Sequence, residues 1–575
     1  VILTLPSLGV GLQLDDYPQR LILLRASESD IPPLSVFATL PGDPASIRHF
    51  MDRGILPWWS APDLKLAFCR VLSAASLWLD YRLFPDSPLL MHAESLLFFA
   101  AMLAALALLY RRLLVPAFPA WIAGLAALLY AIDPGHAVPV AWIANRNALL
   151  ATFFGALALV AHDCWRRDGW RPGAFWSAGC LALALLSGEL ALGAAAFLFA
   201  YAWTIESGGW KRRIGSLRPA GATLLAWGTY YRLAGFGTRG SGMYLDPLTS
   251  PAVFAAAFLR RVPLLLLGQW TPVPADVVAL VPPARIGDFA FAGWGVTALL
   301  VVVLLPLFRR DRTARFFALG TALALVPSAA TTPSNRLLFW IGFGALGLVA
   351  QLLGGVVEKA DWRLRGAFGR ALTATVAGAM LLFHLLLAPF LLVASIGSIR
   401  LLGDPVRRAA ATLPADLSGR DVVVVNAPEY LLYVSFLPSL LPALGKAAQP
   451  MPRSLRGLAA GPFPVTVTRL DERTLALHLG GGLFDGLLGR LFRGADRPLP
   501  AGHEVEMTGL SARVAALSPD GEPSDVVFRF AVPLEDPSLR WLQWQGPGYV
   551  PFTPPAIGQT VTLPAPRNAF ALPGS

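Results

Sequence analysis

Charge is scarce in this chain. Only 14% of its 575 residues are Asp, Glu, Lys or Arg, against 55% hydrophobic residues and a mean hydropathy of +0.57. That leaves far more apolar surface than a soluble core needs, so the composition reads as an integral membrane protein. Cysteine is nearly absent, and Cys69, Cys164 and Cys180 have neither the even count of a disulfide framework nor the spacing of a zinc site. Lysine occurs only at Lys65, Lys211, Lys359 and Lys446, so arginine carries almost all the positive charge, a bias typical of GC-rich bacterial genomes. The net charge of +11 is dispersed through short loops between apolar runs, where arginines mark topology, and this argues against a nucleic-acid partner.

What is abundant is apolar sequence of membrane-crossing length or nearly so: residues 89–110, 116–132, 149–165, 174–186, 190–204, 220–236, 289–308, 314–326, 337–353 and 371–396, with 1–12 resembling a truncated first span. These predict about eleven crossings. Positive clusters at Arg111-Arg112, Arg166-Arg167, Lys211-Arg212-Arg213, Arg309 to Arg315 and Lys359 to Arg370 fall in alternate loops and mark a cytoplasmic side. The stretch Pro251 to Trp270 carries Arg260-Arg261 in its middle; as a crossing it would invert every later loop, so it is expected to be interfacial or re-entrant. The predicted organisation is a polytopic α-helical membrane domain over residues 1–400, with a first extracytoplasmic loop at 14–88, and an extracytoplasmic β-rich domain over 401–575. The expected location is a bacterial inner membrane with the second domain on the periplasmic side.

A span takes about 20 residues at 1.5 Å each. Counting that far back from the cytoplasmic arginines reaches Arg146, Glu189, Arg336 and the pair His92 and Glu94, which places these polar groups at one outer depth. The carboxylates Asp15 and Asp16 follow the short first apolar stretch and share that level; acidic side chains at the mouth of a membrane protein are functional candidates, the alternative being an acidic turn. Pro134 to Asn145 is left over as extra turns at the outer interface, with Asp133 as N-cap and Pro134 at the first helical position. Trp142, Asn145 and Arg146 have the spacing of one helical face. Arg146 and Arg336 suit a phosphate by their guanidinium geometry or snorkel to lipid headgroups. Glu189 is a candidate or a dipole-compensating helix start, His136 a candidate or a hydrogen-bonded turn residue. Leu64 to Leu79 has the periodicity of an amphipathic helix lying on the membrane.

These residues resemble the GT-C superfamily of membrane glycosyltransferases. The acidic pair after the first span, Leu14-Asp15-Asp16-Tyr17, is similar to that superfamily's signature. Leu128 to His136 followed by Ala141 to Leu149 resembles the His-Pro-x-His, Glu-Ala-Val-Ala, Gly-Arg segment of the protein O-mannosyltransferase-like and tetratricopeptide-repeat mannosyltransferase branch. Phe68 to Ser73 with Leu79 to Tyr81 resembles its Arg-Pro-Leu and Asp-Tyr segment, Leu186 to Glu189 its Lys-Glu segment, and Ser334 to Leu338 its Glu-Arg-Tyr-Leu segment. Asp133 stands where the branch has the first His, Gly188 where it has Lys and Asn335 where it has Glu, and no tetratricopeptide repeats follow Leu401. The resemblance implies transfer of a sugar, with inversion, from a polyprenyl-phosphate donor in the membrane to a protein, lipid or glycan acceptor. Asp15 or Asp16 would be the base, Arg146 and Arg336 the phosphate partners, and Arg70, His136, Asn145 and Glu189 further substrate contacts. No cofactor is required; a divalent metal is compatible with Asp15, Asp16 and His136, which are too few and too generic to demand one. The alternatives are a transporter or flippase and a non-catalytic envelope assembly protein.

Beyond Asp404 the apolar runs shorten. Residues 422–425, 465–470, 474–479, 505–508, 512–517, 526–532 and 559–563 read as strands. Trp541, Trp544, Tyr549 and Phe552 are either sugar-stacking or core aromatics.

Overall fold

The computed structural model describes residues 1–24, 31–279, 281–442, 451–484 and 488–566. A 3-10 helix at Ile2–Gly9 leads into α1 (Asp16–Leu24), β1 (Leu40–Pro41), α2 (Pro44–Arg53), β2 (Lys65–Ala67) and α3 (Val71–Leu83). The apolar bundle comprises α4 (Pro88–Leu114), α5 (Ala120–Ala131), α6 (Ala137–Ala141), α7 (Asn147–Arg167), α8 (Pro172–Ser187), α9 (Leu192–Thr204) and α10 (Trp210–Leu233). It continues past β3 (Gly237–Arg239) with α11 (Pro251–Trp270), α12 (Ile286–Arg310), α13 (Arg312–Ser328), α14 (Phe339–Val357), α15 (Gly366–Leu381) and α16 (Ala388–Ala411). Helix α14 is the axis: it is buried almost throughout, as a helix apolar on every side must be.

Among the described residues, six stretches are long and apolar enough to cross a membrane, and the α5–α6 pair, bent by 45°, makes a seventh. The other expected crossings are helical as well, but α8 and α9 are shorter apolar helices, α13 has 17 residues, α10 opens on Lys211-Arg212-Arg213, and the first apolar stretch is the 3-10 helix. The expected count of about eleven is therefore not reached by length and composition. Helix α11, expected to be interfacial or re-entrant, is instead one of the six stretches of spanning length and composition. Midway, Arg261 donates to the carbonyls of Gly242 (3.1 Å) and Ala329 (3.0 Å); at its end Gln269 approaches Asp133 (3.5 Å), and Ala275 N–H donates to Asn335 (2.8 Å). Its middle and its end thus meet connecting segments at the same end of the bundle.

Charge is sorted between the two ends. Arg112 pairs with Asp163 and Asp168 (2.5 and 2.7 Å), Arg166 and Arg212 with Glu206 (2.7 and 2.9 Å), and Arg310 with Asp361 (3.2 Å). The arginine clusters thus gather at one end, as the alternation of basic loops predicts. At the other end lie the loop before α4, Asp133, Glu189, Arg336 and the second domain.

That second domain contains β4 (Asp421–Ala427), α17 (Leu437–Leu441), β5 (Ser454–Ala460), β6 (Val465–Arg469), β7 (Thr474–Leu479), β8 (Glu504–Met507), β9 (Leu510–Leu517), β10 (Pro523–Phe530), β11 (Leu539–Gln545), β12 (Gly548–Pro551) and β13 (Thr560–Leu563). One sheet is antiparallel in the order β13-β6-β7-β10-β9-β8; the other runs β12-β11-β4-β5, with β11, β4 and β5 parallel. Each of the seven expected strands is present, while β5, β11 and β12 escape the alternation test. Trp541, Trp544, Tyr549 and Phe552 are all buried between these layers, which resolves them as core aromatics.

The domain is bolted to the loop before α4. Buried Arg493 donates to the carbonyls of Trp59 (2.5 Å), Ser60 (2.8 Å) and Arg497 (3.0 Å), and Trp58 Nε1 donates to Leu458 O (2.9 Å). At Gly54, which ends α2 with φ +79°, an added Cβ would lie 1.8 Å from the Leu455 carbonyl oxygen. Only glycine permits both that backbone and that approach. Because Arg493→Ala orphans buried carbonyls, it is expected to cost about 2–3 kcal/mol, read as a lower denaturant midpoint for the purified chain; an unchanged midpoint would refute this role for the bolt.

Candidate active site

A cavity of about 1610 Å³ lies between the helical bundle, the loop before α4 and the second domain. Its floor carries Asp15, Arg70, Asn145, Glu189 and Arg336, and its roof includes Ser435, Phe436, Ser439 and Phe492. Local structure explains how these groups arrive. The antiparallel sheet β1-β2-β3 ties the first loop to the segment after α10. Glu189 starts the turn into α9, where its carboxylate accepts from Cys69 N–H (2.8 Å) and Arg70 Nε (3.1 Å), and Ser73 donates to the Ser187 carbonyl (2.7 Å). Helix α3 begins only at Val71 because residues 65–67 pair as a strand, which shortens the amphipathic helix expected from Leu64.

The two adjacent carboxylates face different surroundings. Leu14 holds φ at +43°, a left-handed conformation that costs a branched residue energy and turns the chain sharply. Asp16 points inward and accepts from Gln13 N–H (2.8 Å) and Ala144 N–H (2.7 Å). Burial pushes its pKa up to about 8 against those two hydrogen bonds, with the Asp15 charge adding to the rise and Arg146 opposing it. Asp15 lines the cavity, and among the described residues its carboxylate has no hydrogen bond or ion pair. Burial raises its pKa above the ordinary carboxylate range, while Arg336 and then Arg70 pull it down.

Arg336 lines the cavity with its guanidinium over Trp142, 5.9 Å from the ring centroid; no carboxylate among the described residues pairs with it. Arg70, already engaged by Glu189, stacks on Phe68 (4.5 Å) and Phe37 (5.4 Å). Trp142 Nε1 and Asn145 Nδ2 are buried donors without partners on the same wall. Buried donors are costly to leave unpaired, so this wall is suited to an oxygen-rich, anionic guest.

Asp16, Arg146 and His136, also singled out in the sequence, do not line the cavity. Arg146 is 1% exposed and is not a cavity group. Its guanidinium meets Asp80 (2.6 Å) and Glu94 (3.2 Å) and donates to Ser95 Oγ (3.0 Å), Ser76 Oγ (3.1 Å) and the Met91 carbonyl (2.6 Å). Every side of the fork is occupied, so no place remains for a phosphate. Burial pushes Asp80 up to about 8, the Glu94 carboxyl reinforces it and Arg146 opposes it. The expected shared face of Trp142, Asn145 and Arg146 is broken because Trp142 is extended, with φ −129° and ψ 111°. His136 is enclosed by Phe99, Tyr130 and Phe339, beside the expected Asp133 cap, which accepts from Gly135 N–H (2.7 Å). Asp15, Asp16 and His136 therefore do not converge, and among the described residues no group of three metal-ligating side chains gathers.

The sequence did not point to the second domain as the roof, or to the Arg232–Asp246 pair (2.9 Å) on the cavity wall. No short-range signal links the roof residues Ser435, Phe436, Ser439 and Phe492 to Asp15, more than 400 positions earlier.

No family model matches the chain, and no curated protein matches it. Among solved structures it is similar to ArnT from Cupriavidus metallidurans bound to undecaprenyl phosphate, at 14% identity over 78% of this chain and 87% of that one, with a TM-score of 0.37. The apo state of the same protein gives 12% identity with the same coverage and score. The apo oligosaccharyltransferase from Archaeoglobus fulgidus gives 12% identity over 78% of this chain and 64% of that one, with a TM-score of 0.36. A likeness at such scores does not decide the chemistry of the cavity, which is set by this chain's own residues.

The buried Asp16 carboxyl makes stability depend on pH. With its folded-state pKa above the ordinary 3.8, its stabilising share is complete below 3.8 and is lost as pH rises to about 8. Asp16→Asn removes that titration, so the fall in unfolding midpoint between about pH 5 and about pH 8 is expected to be smaller than in the parent chain. An equal fall would contradict the burial of a titrating Asp16.

Proposed function

We propose that this chain is a GT-C-type glycosyltransferase that moves a sugar from a polyprenyl-phosphate donor to an acceptor hydroxyl on the extracytoplasmic face. The carrying observation is the unpartnered Asp15 carboxylate, lining the same large cavity as the carboxylate-free Arg336. A base whose pKa is raised by burial is stronger than an ordinary carboxylate, and a fixed cation without an acidic partner suits a leaving phosphate. The ordered resemblance of the Asp15-Asp16, Leu128 to Leu149, Leu186 to Glu189 and Ser334 to Leu338 segments supports the same reading.

Asp15 takes the proton of the acceptor hydroxyl as its oxygen attacks the anomeric carbon from the face opposite the phosphate. The bond from that carbon to the phosphate oxygen breaks, and the electron pair leaves with the polyprenyl phosphate, whose charge Arg336 meets. Inversion follows from a single displacement. Trp142 Nε1 and Asn145 Nδ2 donate to donor oxygens, and Arg70, held by Glu189, lines the same floor. Asp16 is a positioning residue: its carboxylate fixes the turn that presents Asp15. Arg146 and His136, assigned substrate contacts by the sequence pattern, take structural roles in this scheme.

With polyprenyl-phosphate sugars supplied to the purified chain in nanodiscs, Asp15→Asn is expected to lower kcat by about 10²–10⁴-fold, with folding unchanged. Arg336→Ala is expected to cost about 10²–10³-fold, with Arg336→Lys recovering part of it. Full transfer by Asp15→Asn would overturn the assignment of the base.

A further inference from the structure

The cavity is not closed toward the apolar flank of the bundle. Leu225 and Leu233 on α10 and Leu248 in the turn after β3 are 73%, 84% and 78% exposed, and all three also line the cavity. Exposed leucines are ordinary on a helix that faces lipid. Leucines that face outward and line the cavity as well mark where it opens to the bilayer. Gly228, between Leu225 and Leu233, also lines the cavity, and a Cβ there would meet nothing within 4 Å. Across this opening Arg232 reaches Asp246 (2.9 and 3.3 Å) and joins the outer end of α10 to the turn that holds Leu248. The Asp246 carboxylate also caps that turn by accepting from Leu248 N–H (2.9 Å). Leu225 lies seven positions before Arg232 on α10, about 10 Å deeper along the helix.

We propose that this gap between the outer end of α10 and the turn at residues 245–248 is a lateral portal, that it seats the isoprenoid chain of the donor, and that the Arg232–Asp246 pair latches it. This rests on the glycosyltransferase reading for the identity of the lipid, but the mouth itself is a feature of the cavity. An apolar mouth continuous with a chamber holding the free cation Arg336 fits one amphiphile, with its single-charged phosphate inside and its hydrocarbon outside. A free sugar nucleotide offers no hydrocarbon to cover the leucines. Of the latch partners Arg232 is the exposed one, at 40% against 12% for Asp246, so the arginine can swing into solvent while Asp246 stays on its turn, as an element that opens on each turnover requires.

The test uses the full chain in nanodiscs of phosphatidylethanolamine and phosphatidylglycerol, with a polyprenyl monophosphate bearing a diazirine in its chain. Labelling is expected to map to residues 224–233 and 245–248, to be competed by unlabelled polyprenyl phosphate, and to fall about tenfold in the Leu225→Trp, Leu248→Trp double variant. Arg232→Ala is expected to speed labelling. In transfer assays the double variant is expected to penalise a long-chain donor about tenfold more than a short-chain one, through KM rather than kcat. Labelling spread evenly over the apolar helices, or an equal penalty for both donors, would overturn the portal. If the mouth is labelled and competed but no sugar is transferred from any donor, the glycosyltransferase reading fails while the portal stands. Transfer with labelling away from the mouth removes the portal alone.

Discussion

The carboxylate of Asp16, held between the amide protons of Gln13 and Ala144, is the contact on which the rest of the site depends. It joins the first loop to the turn before α7, two segments 128 positions apart. That turn is held in its own right from the next residue but one, where Arg146 is clasped by Asp80 and Glu94. Burying so much charge is expensive, and removing one partner of such a knot leaves the others uncompensated, at about 3–5 kcal/mol. What the knot secures is geometry: the cavity-facing groups Asp15, Trp142 and Asn145 flank the buried ones in the sequence and inherit their positions.

Neither domain forms the cavity alone. The bundle supplies the floor and the free cation, the first loop supplies the carboxylate, and the β-rich domain closes the roof through Phe436, Ser439 and Phe492. Arg493, buried against the Trp59 and Ser60 carbonyls, makes that roof a fixed part of the chamber. A low-dielectric enclosure strengthens every charge within it, and this raises Asp15 while leaving Arg336 a strong partner for phosphate.

Much of the architecture was legible in the sequence. The apolar runs, the gathering of arginines at one end and the strands of the second domain follow from periodicity and composition, and the helical ruler placed Arg146, Glu189 and Arg336 at a common outer end. It could not tell a buried arginine from a free one. Arg146 is neutralised by Asp80 and Glu94, 66 and 52 positions earlier, whereas Arg336 lies over the Trp142 ring and pairs with no carboxylate among the described residues; depth along a helix carries no information about either. Nor could it divide Asp15 from Asp16, because their divergence depends on the left-handed Leu14, a conformation a leucine does not advertise. Of the three parallel strands, β4 and β5 are buried along nearly their whole length and lack alternation; β5 and the partly exposed β11 went unread.

The central claim is a division of labour between neighbouring carboxylates, one reactive and accessible from the cavity, one sealed and structural. Carbodiimide coupling of an amine to accessible carboxylates in the intact, membrane-embedded chain, read by peptide mass spectrometry with and without polyprenyl phosphate, tests it most directly. The expected result is modification of Asp15, suppressed by the lipid phosphate, with Asp16 unmodified in both conditions. Modification of Asp16 in preference to Asp15, or labelling of Asp15 that the lipid phosphate leaves unchanged, would contradict it.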